Sequence, residues 1–169
     1  MDIKEIKTEF IISTVPDHLK HKSTLLDLID QLPHDSYQGV SKTDWNLPPD
    51  FEKKYIPYFY SHIANSIMDR QQKYLKAQSW EISHTWFQQY DKGGAHPYHN
   101  HIRTNFTNVY FLELPNKKFK TSIKVRDKEY SYKVKEGQLI TFPAHLLHTS
   151  KNNGVKRKTV IAFNSDFLF

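Results

Sequence analysis

Tyr98-His99-Asn100-His101 and Phe142-Pro143-Ala144-His145-Leu146-Leu147-His148 decide how this chain is read, together with Lys158, ten residues beyond the last of these histidines. Side chains alternate between the two faces of an extended strand, so His99 and His101 are expected on one side. A third imidazole from a remote strand, His148, then completes one face of a metal ion. The chain contains no cysteine. That excludes disulfides, thiolate zinc sites and cysteine nucleophiles, and leaves histidine and carboxylate as the strong protein ligands. Three ligands on one face leave coordination positions open, which is the pattern of a reactive site and not of a closed structural one.

Working outward, strands are predicted over residues 79–90, 105–114, 118–126, 129–134, 138–142 and 158–163, all rich in Val, Ile, Thr and aromatics and separated by turn residues. The first half reads differently. An opening strand over 9–15 leads through Pro16-Asp17 into a helix to about Leu32, which Pro33 stops. Residues 34–50 form a polar connector. A second helix runs from about Pro49 to Leu75, with Pro57 as a potential kink. The predicted fold class is α+β: a double-stranded β-helix, a cupin-like jelly roll of two facing sheets, with N-terminal helices packed on one sheet and the pocket between the sheets. At 169 residues, one domain is expected, with a helical part over 1–77 and a β-helix core over 78–169.

Lys and Arg total 24 against 18 Asp and Glu, a formal charge of +6. Such a surface raises the local concentration of anionic partners, from a dicarboxylate to an acidic peptide or nucleic acid. The lysines are scattered along the sequence, so nucleic acid is the less favoured partner. No stretch has the length and apolarity of a membrane span or a secretory h-region, so a cytoplasmic protein is expected. With five glycines and no Gly-x-Gly-x-x-Gly, Walker-type or Gly-x-Ser-x-Gly run, the sequence argues against dinucleotide binding, phosphate-loop chemistry and a serine-hydrolase elbow.

Several pieces in order carry a resemblance: Trp86-Phe87-Gln88-Gln89-Tyr90-Asp91-Lys92-Gly93-Gly94, His99-Asn100-His101, Thr107-Asn108-Val109-Tyr110-Phe111, Glu136-Gly137-Gln138-Leu139-Ile140-Thr141-Phe142-Pro143 with His148, and Phe163-Asn164. From about Tyr37 to Phe163 the chain resembles the iron(II)- and 2-oxoglutarate-dependent oxygenase superfamily. Within it, the chain is similar to a small group common in phages and marine bacteria, and distantly to prolyl hydroxylases. The resemblance implies Fe(II) held by His99 and His148, with 2-oxoglutarate and dioxygen as partners. It also implies hydroxylation of a C–H bond, with release of succinate and carbon dioxide. His101 stands where most of the superfamily carries Asp or Glu. The third ligand is therefore His101 itself, a carboxylate from elsewhere such as Asp91 or Glu113, or a water.

The resemblance places a cation for the distal carboxylate of 2-oxoglutarate at Lys158, with Arg157 as the alternative if the register slips by one. A tyrosine that holds the co-substrate in prolyl-hydroxylase-like members falls near Phe111, which cannot donate a hydrogen bond, so Tyr90 and Tyr110 are the alternatives. His145 is expected at the mouth or surface and His96 in a loop. The substrate is not named by the sequence, a peptide side chain being the direction the lysine suggests. Two other readings stay open: a cupin-like metalloprotein acting without 2-oxoglutarate, and a non-catalytic basic β-sandwich binding nucleic acid or protein.

Overall fold

The structure, a computed structural model, describes residues 9–169. Its elements are β1 (Ile11–Thr14), α1 (His18–Asp30), β2 (Asp35–Tyr37), β3 (Val40–Thr43), α2 (Tyr55–Phe59), a π-helical turn (Tyr60–Ala64), α3 (Asn65–Leu75), β4 (Ser79–Tyr90), β5 (His96–His99), β6 (Phe106–Glu113), a 3₁₀ turn (Lys117–Phe119), β7 (Thr121–Val125), β8 (Lys128–Tyr130), β9 (Gln138–Pro143), β10 (Leu147–Ser150) and β11 (Lys158–Leu168). The strands form two sheets, ordered β1-β9-β6-β11-β4-β3-β2 and β5-β10-β7-β8. Every strand pairing is antiparallel.

The large sheet is covered on both faces, which accounts for the nearly continuous apolar runs of its central strands. Tyr110, Leu112, Ile161 and Phe163 pack with Leu25, Ile29, Phe59, Ile63, Ile67 and Met68 of the helices. Their neighbours in sequence, Val109, Phe111 and Val160, turn the other way into a second core with Ile123 of the small sheet, Ile140 and Phe142. Period-two alternation thus divides one set of strands between a helix-facing core and a pocket-facing one.

The strands expected over 118–126 and 129–134 shorten to Thr121–Val125 and Lys128–Tyr130, the one over 158–163 extends to Leu168, and two expectations change in the first half of the chain. The polar connector contains a hairpin, β2–β3, whose turn residues Gln38 and Gly39 both have positive φ (48° and 87°), the primed-turn geometry that two-residue hairpins favour. A Cβ on Gly39 would meet the Ala95 carbonyl oxygen at 2.8 Å, while the Ala95 N–H donates to the Gly39 carbonyl at 2.9 Å, so glycine is required there. Second, the long helix begins at Tyr55, not Pro49, and Pro57 does not break it. Pro57 lies in the first turn, where backbone donors have no intrahelical partner to lose; the π-helical turn follows and α3 continues the path.

The β3–α2 connection is pinned by Asp44, which is fully buried. Its carboxylate accepts from the Tyr55 hydroxyl at 2.8 Å and the Phe87 N–H at 2.9 Å, and pairs with Lys53 at 3.1 Å. Asp44→Ala is expected to lower stability by about 3 kcal/mol, because it leaves two buried donors and the partly buried Lys53 ammonium without the carboxylate. Urea unfolding of the two proteins measures this; a loss within about 0.5 kcal/mol, as for an ordinary surface change, would show that the network does not hold the connection.

Candidate active site

The site is assembled by the small sheet and closed by the large one. β10 runs antiparallel to β5 with His148 opposite His99, so two imidazoles meet as a cross-strand pair. The segment from Phe142 to His148 reverses direction through a turn in which the Leu146 N–H donates to the Pro143 carbonyl at 3.1 Å. β5 ends at His99, so His101 is not on the strand as expected. Its N–H donates to the Ala144 carbonyl at 2.9 Å, and its ring lies nearly parallel to Trp86, centroids 5.4 Å apart. Each of His99, His101 and His148 offers a ring nitrogen within 4.8 Å of the others'.

The free nitrogens are set by hydrogen bonding. His99 Nδ1–H donates to the Pro97 carbonyl at 2.9 Å and His148 Nδ1–H to the Leu146 carbonyl at 3.1 Å, which leaves each Nε2 as a lone-pair donor. His101 Nε2 is buried with no partner among the described residues. An orphaned ring nitrogen beside two other imidazoles fits a bound divalent cation. Burial keeps all three rings neutral, as a ligand must be: His101 is lowered to about 4, His148 lies well below the usual range, and His99 is lowered although its bond to Pro97 opposes the shift. Neither carboxylate alternative joins them. Glu113 is engaged by Arg157 at 2.8 Å and by the Thr159 hydroxyl, and Asp91 is exposed at the end of β4.

Strand parity separates the two candidate cations. Lys158, Val160 and Ala162 line the inner pocket. Arg157 points outward and bridges Glu113 and Asp30, so it does not take the place the sequence left open to it. Lys158 is 1% exposed. Its ammonium lies 3.9 Å from the centroid of the Tyr90 ring, its cross-strand partner. It donates to the Phe119 carbonyl at 2.9 Å and to the Ser150 hydroxyl. Among the described residues of the lining no carboxylate is near it, and desolvation alone brings it down to about 7. Tyr110 is corrected as Arg157 is: it faces the helices, its hydroxyl 2.6 Å from His18 Nδ1, and only Tyr90 of the two tyrosines reaches the pocket.

Sequence reasoning missed His96, expected in a loop. It begins β5, is buried, and stacks on His99 with centroids 3.9 Å apart. Strict alternation would place residues 96 and 99 on opposite faces. The pairing His148↔His99 and Ser150↔His96 sets two steps of β10 against three of β5, and this bulge at Pro97, which has no N–H to give the ladder, turns both rings to one side. A directed chain of hydrogen bonds follows. The Tyr90 hydroxyl donates to Gln88 Oε1 (2.8 Å), Gln88 Nε2 to His96 Nδ1 (3.1 Å), His96 Nε2–H to Gln38 Oε1 (3.3 Å) and Gln38 Nε2 to the Tyr37 hydroxyl (3.1 Å). The loop before β11 is fixed by the buried Asn153, whose amide donates to the Tyr90 and Lys156 carbonyls at 2.6 and 2.9 Å. The inner cavity is narrow, about 20 Å³. Beyond the histidines it gives onto a wider vestibule of about 340 Å³.

No family model matches the sequence, and no curated protein is similar to it in sequence. Solved structures do match. An oxidoreductase of the 2OG-Fe(II) oxygenase family from Burkholderia pseudomallei aligns over 93% of this chain and 85% of its own, with TM-score 0.70 and 10% identity. A Pseudomonas putida prolyl-4-hydroxylase aligns over 94% and 93%, with TM-score 0.59 and 13% identity. A Trichoplax adhaerens prolyl hydroxylase, solved with a hypoxia-inducible-factor oxygen-degradation-domain peptide fragment, aligns over 93% and 83%, with TM-score 0.64 and 15% identity. The chain therefore has the fold of 2-oxoglutarate/Fe(II) oxygenases and prolyl hydroxylases, as the order of its motifs implied.

The neutral histidines give the metal-free protein a pH signature. Their folded pKa values lie below the ordinary 6.5, so the unfolded chain takes up protons first as pH falls. Stability is full above about pH 6.5 and is lost as pH falls toward about 4 for His101 and about 3 for His96. With chelator present, the urea midpoint should fall between about pH 7 and 5, each histidine adding up to about 1.4 kcal/mol per pH unit. His96→Asn should flatten that slope; a slope unchanged from the parent would contradict the burial of the ring.

Proposed function

We propose that the chain is an iron(II)- and 2-oxoglutarate-dependent dioxygenase, a hydroxylase built as one double-stranded β-helix domain of the jelly-roll type with its N-terminal helices on the larger sheet. The observation that carries this reading is Lys158: a buried ammonium with only neutral partners, on the same inner wall as three converging imidazoles. A buried cation without a counter-charge is costly, and an anionic ligand offsets that cost. One end of the pocket thus suits a carboxylate and the other a divalent metal, the two requirements of a chelating keto acid.

His99, His101 and His148 would hold the ion through their free ring nitrogens. With dioxygen as the oxidant and 2-oxoglutarate as the co-substrate, ferrous iron held there would supply the chemistry of C–H hydroxylation, with release of succinate and carbon dioxide. Lys158 would take the distal carboxylate by giving up the Phe119 carbonyl and Ser150 hydroxyl, and this exchange opens the narrow cavity. The Tyr90 ring keeps the ammonium in place while its own hydroxyl stays committed to Gln88. Val160 and Ala162 form the dry wall that strengthens the charge pairing. His101, neutral where the superfamily usually has a carboxylate, leaves the site one charge more positive, which favours an anionic chelator.

A metalloprotein of the same fold that works without 2-oxoglutarate is the second reading, favoured by the small inner cavity. The two are separated by titrating the anaerobic ferrous protein with 2-oxoglutarate, following the visible charge-transfer band, and then measuring succinate after oxygen is admitted. The band and succinate are expected. Lys158→Ala should raise the Kd for 2-oxoglutarate about 30-fold or more, the equivalent of about 2 kcal/mol for a lost buried charge pair, with metal affinity retained. Iron bound with neither band nor succinate would remove the first reading. Metal-dependent turnover intact in Lys158→Ala would establish the second.

A further inference from the structure

The vestibule differs from the rest of the molecular surface in its charge. Its lining consists of Tyr37, Gln38, Thr43, Trp45, Trp86, Gln88, His96, His99, Asn100, His101, Ile102 and Asn164. Among the described residues of this lining there is no Asp, Glu, Lys or Arg, on a chain whose formal charge is +6. Its walls are rings: Tyr37 and Trp45 lie nearly parallel with centroids 6.4 Å apart, and Trp45 meets Trp86 edge to face at 4.9 Å. Trp45 and Ile102 are exposed, Ile102 by 77%. Gln38 and Gln88 have both ends of their amides engaged in the chain of hydrogen bonds through His96. The carboxamides of Asn100 and Asn164 keep hydrogen-bonding capacity, Asn100 making one 3.4 Å contact and Asn164 a 3.5 Å one with Thr107 besides its contact with the His101 ring.

Resting on the proposed oxygenase reading, we infer that the vestibule is the substrate site and that it takes an uncharged group bearing a flat ring, stacked against Trp45 and Tyr37, oriented by the Asn100 and Asn164 amides and presented to the metal face of His99 and His101. At about 340 Å³ the space is at the small end of ligand sites, roughly 300–1,000 Å³, enough for one ring with its substituents. In the metal-free protein a carboxylate or ammonium entering it would lose water and meet no opposite charge, so charged analogues are rejected by desolvation. The two ends of the site thereby sort the reactants by charge: the anionic partner goes to Lys158 and the neutral one to the aromatic mouth.

The test uses three compounds of one shape: benzamide, benzoate and benzamidine, respectively neutral, anionic and cationic. Two of the three tryptophans line the vestibule, so binding is read as quenching of their emission, with saturating 2-oxoglutarate present to occupy Lys158. Benzamide should bind at least about tenfold more tightly than either charged compound. Trp45→Ala should weaken benzamide about tenfold, and Ile102→Asp, a change at an exposed position, should raise the affinity for benzamidine. With Mn(II) added, the benzamide ring protons should broaden. Benzoate or benzamidine binding as well as benzamide, no quenching by any of the three, or no gain of benzamidine binding in Ile102→Asp would each overturn the inference. Failure of the oxygenase reading looks different: Mn(II) or 2-oxoglutarate fails to bind while the contrast in quenching among the three compounds remains.

Discussion

The site depends on one strand, β11, which is buried on both faces and paired along its length with β4 and along most of it with β6. Its odd-numbered residues, Ile161 and Phe163, anchor the helices, and its even-numbered ones, Lys158, Val160, Ala162 and Asn164, form the floor of the pocket and vestibule. A strand held from two sides and covered on two faces has little freedom to shift. The position of the ammonium relative to the imidazoles is therefore fixed by the same hydrogen-bond ladder that holds the core together.

The electrostatic design is one of separation. Three glutamates are paired with other cations and not with Lys158: Glu113 with Arg157 (and with the Thr159 hydroxyl), Glu136 with Lys22, Glu129 with Lys151. The buried region is left with neutral rings, amides and one amine. Burial lowers the proton affinity of both the imidazoles and the amine, and both kinds of group are then ready for a partner of the opposite character: a Lewis acid for the rings, an anion for the amine.

What could be read in advance follows from periodicity. The inward set Lys158, Val160 and Ala162 follows period two along β11, and β4 was legible to its end residues, Ser79 and Tyr90, although irregularities interrupt the ladders of β11 with β4 and β6. The meeting of His99 with His148 was legible as a metal-ligand pattern. Features that break periodicity were not. The bulge at Pro97 hid His96. β10 is four residues long and its alternation too brief to register, and the polar β2–β3 hairpin carries too few apolar side chains to read as strand. Alternation also could not say which of Arg157 and Lys158 faces inward, because parity fixes only that the two differ. The tertiary ladder with Tyr90 supplied the answer.

That parity has a consequence for the irregular loop ahead of β11. Asn153 clamps the loop to the end of β4, so the number of residues between Asn153 and Lys158 sets the phase of the whole strand. Deleting one of them would put the Thr159 hydroxyl where the ammonium now lies, carry the amine to the outward place now held by Arg157 beside Asp30, and exchange the floor of the cavity for side chains shaped to fit helices. A segment with no regular structure of its own is thus under a strict length requirement, while its outward-facing side chains are free to vary.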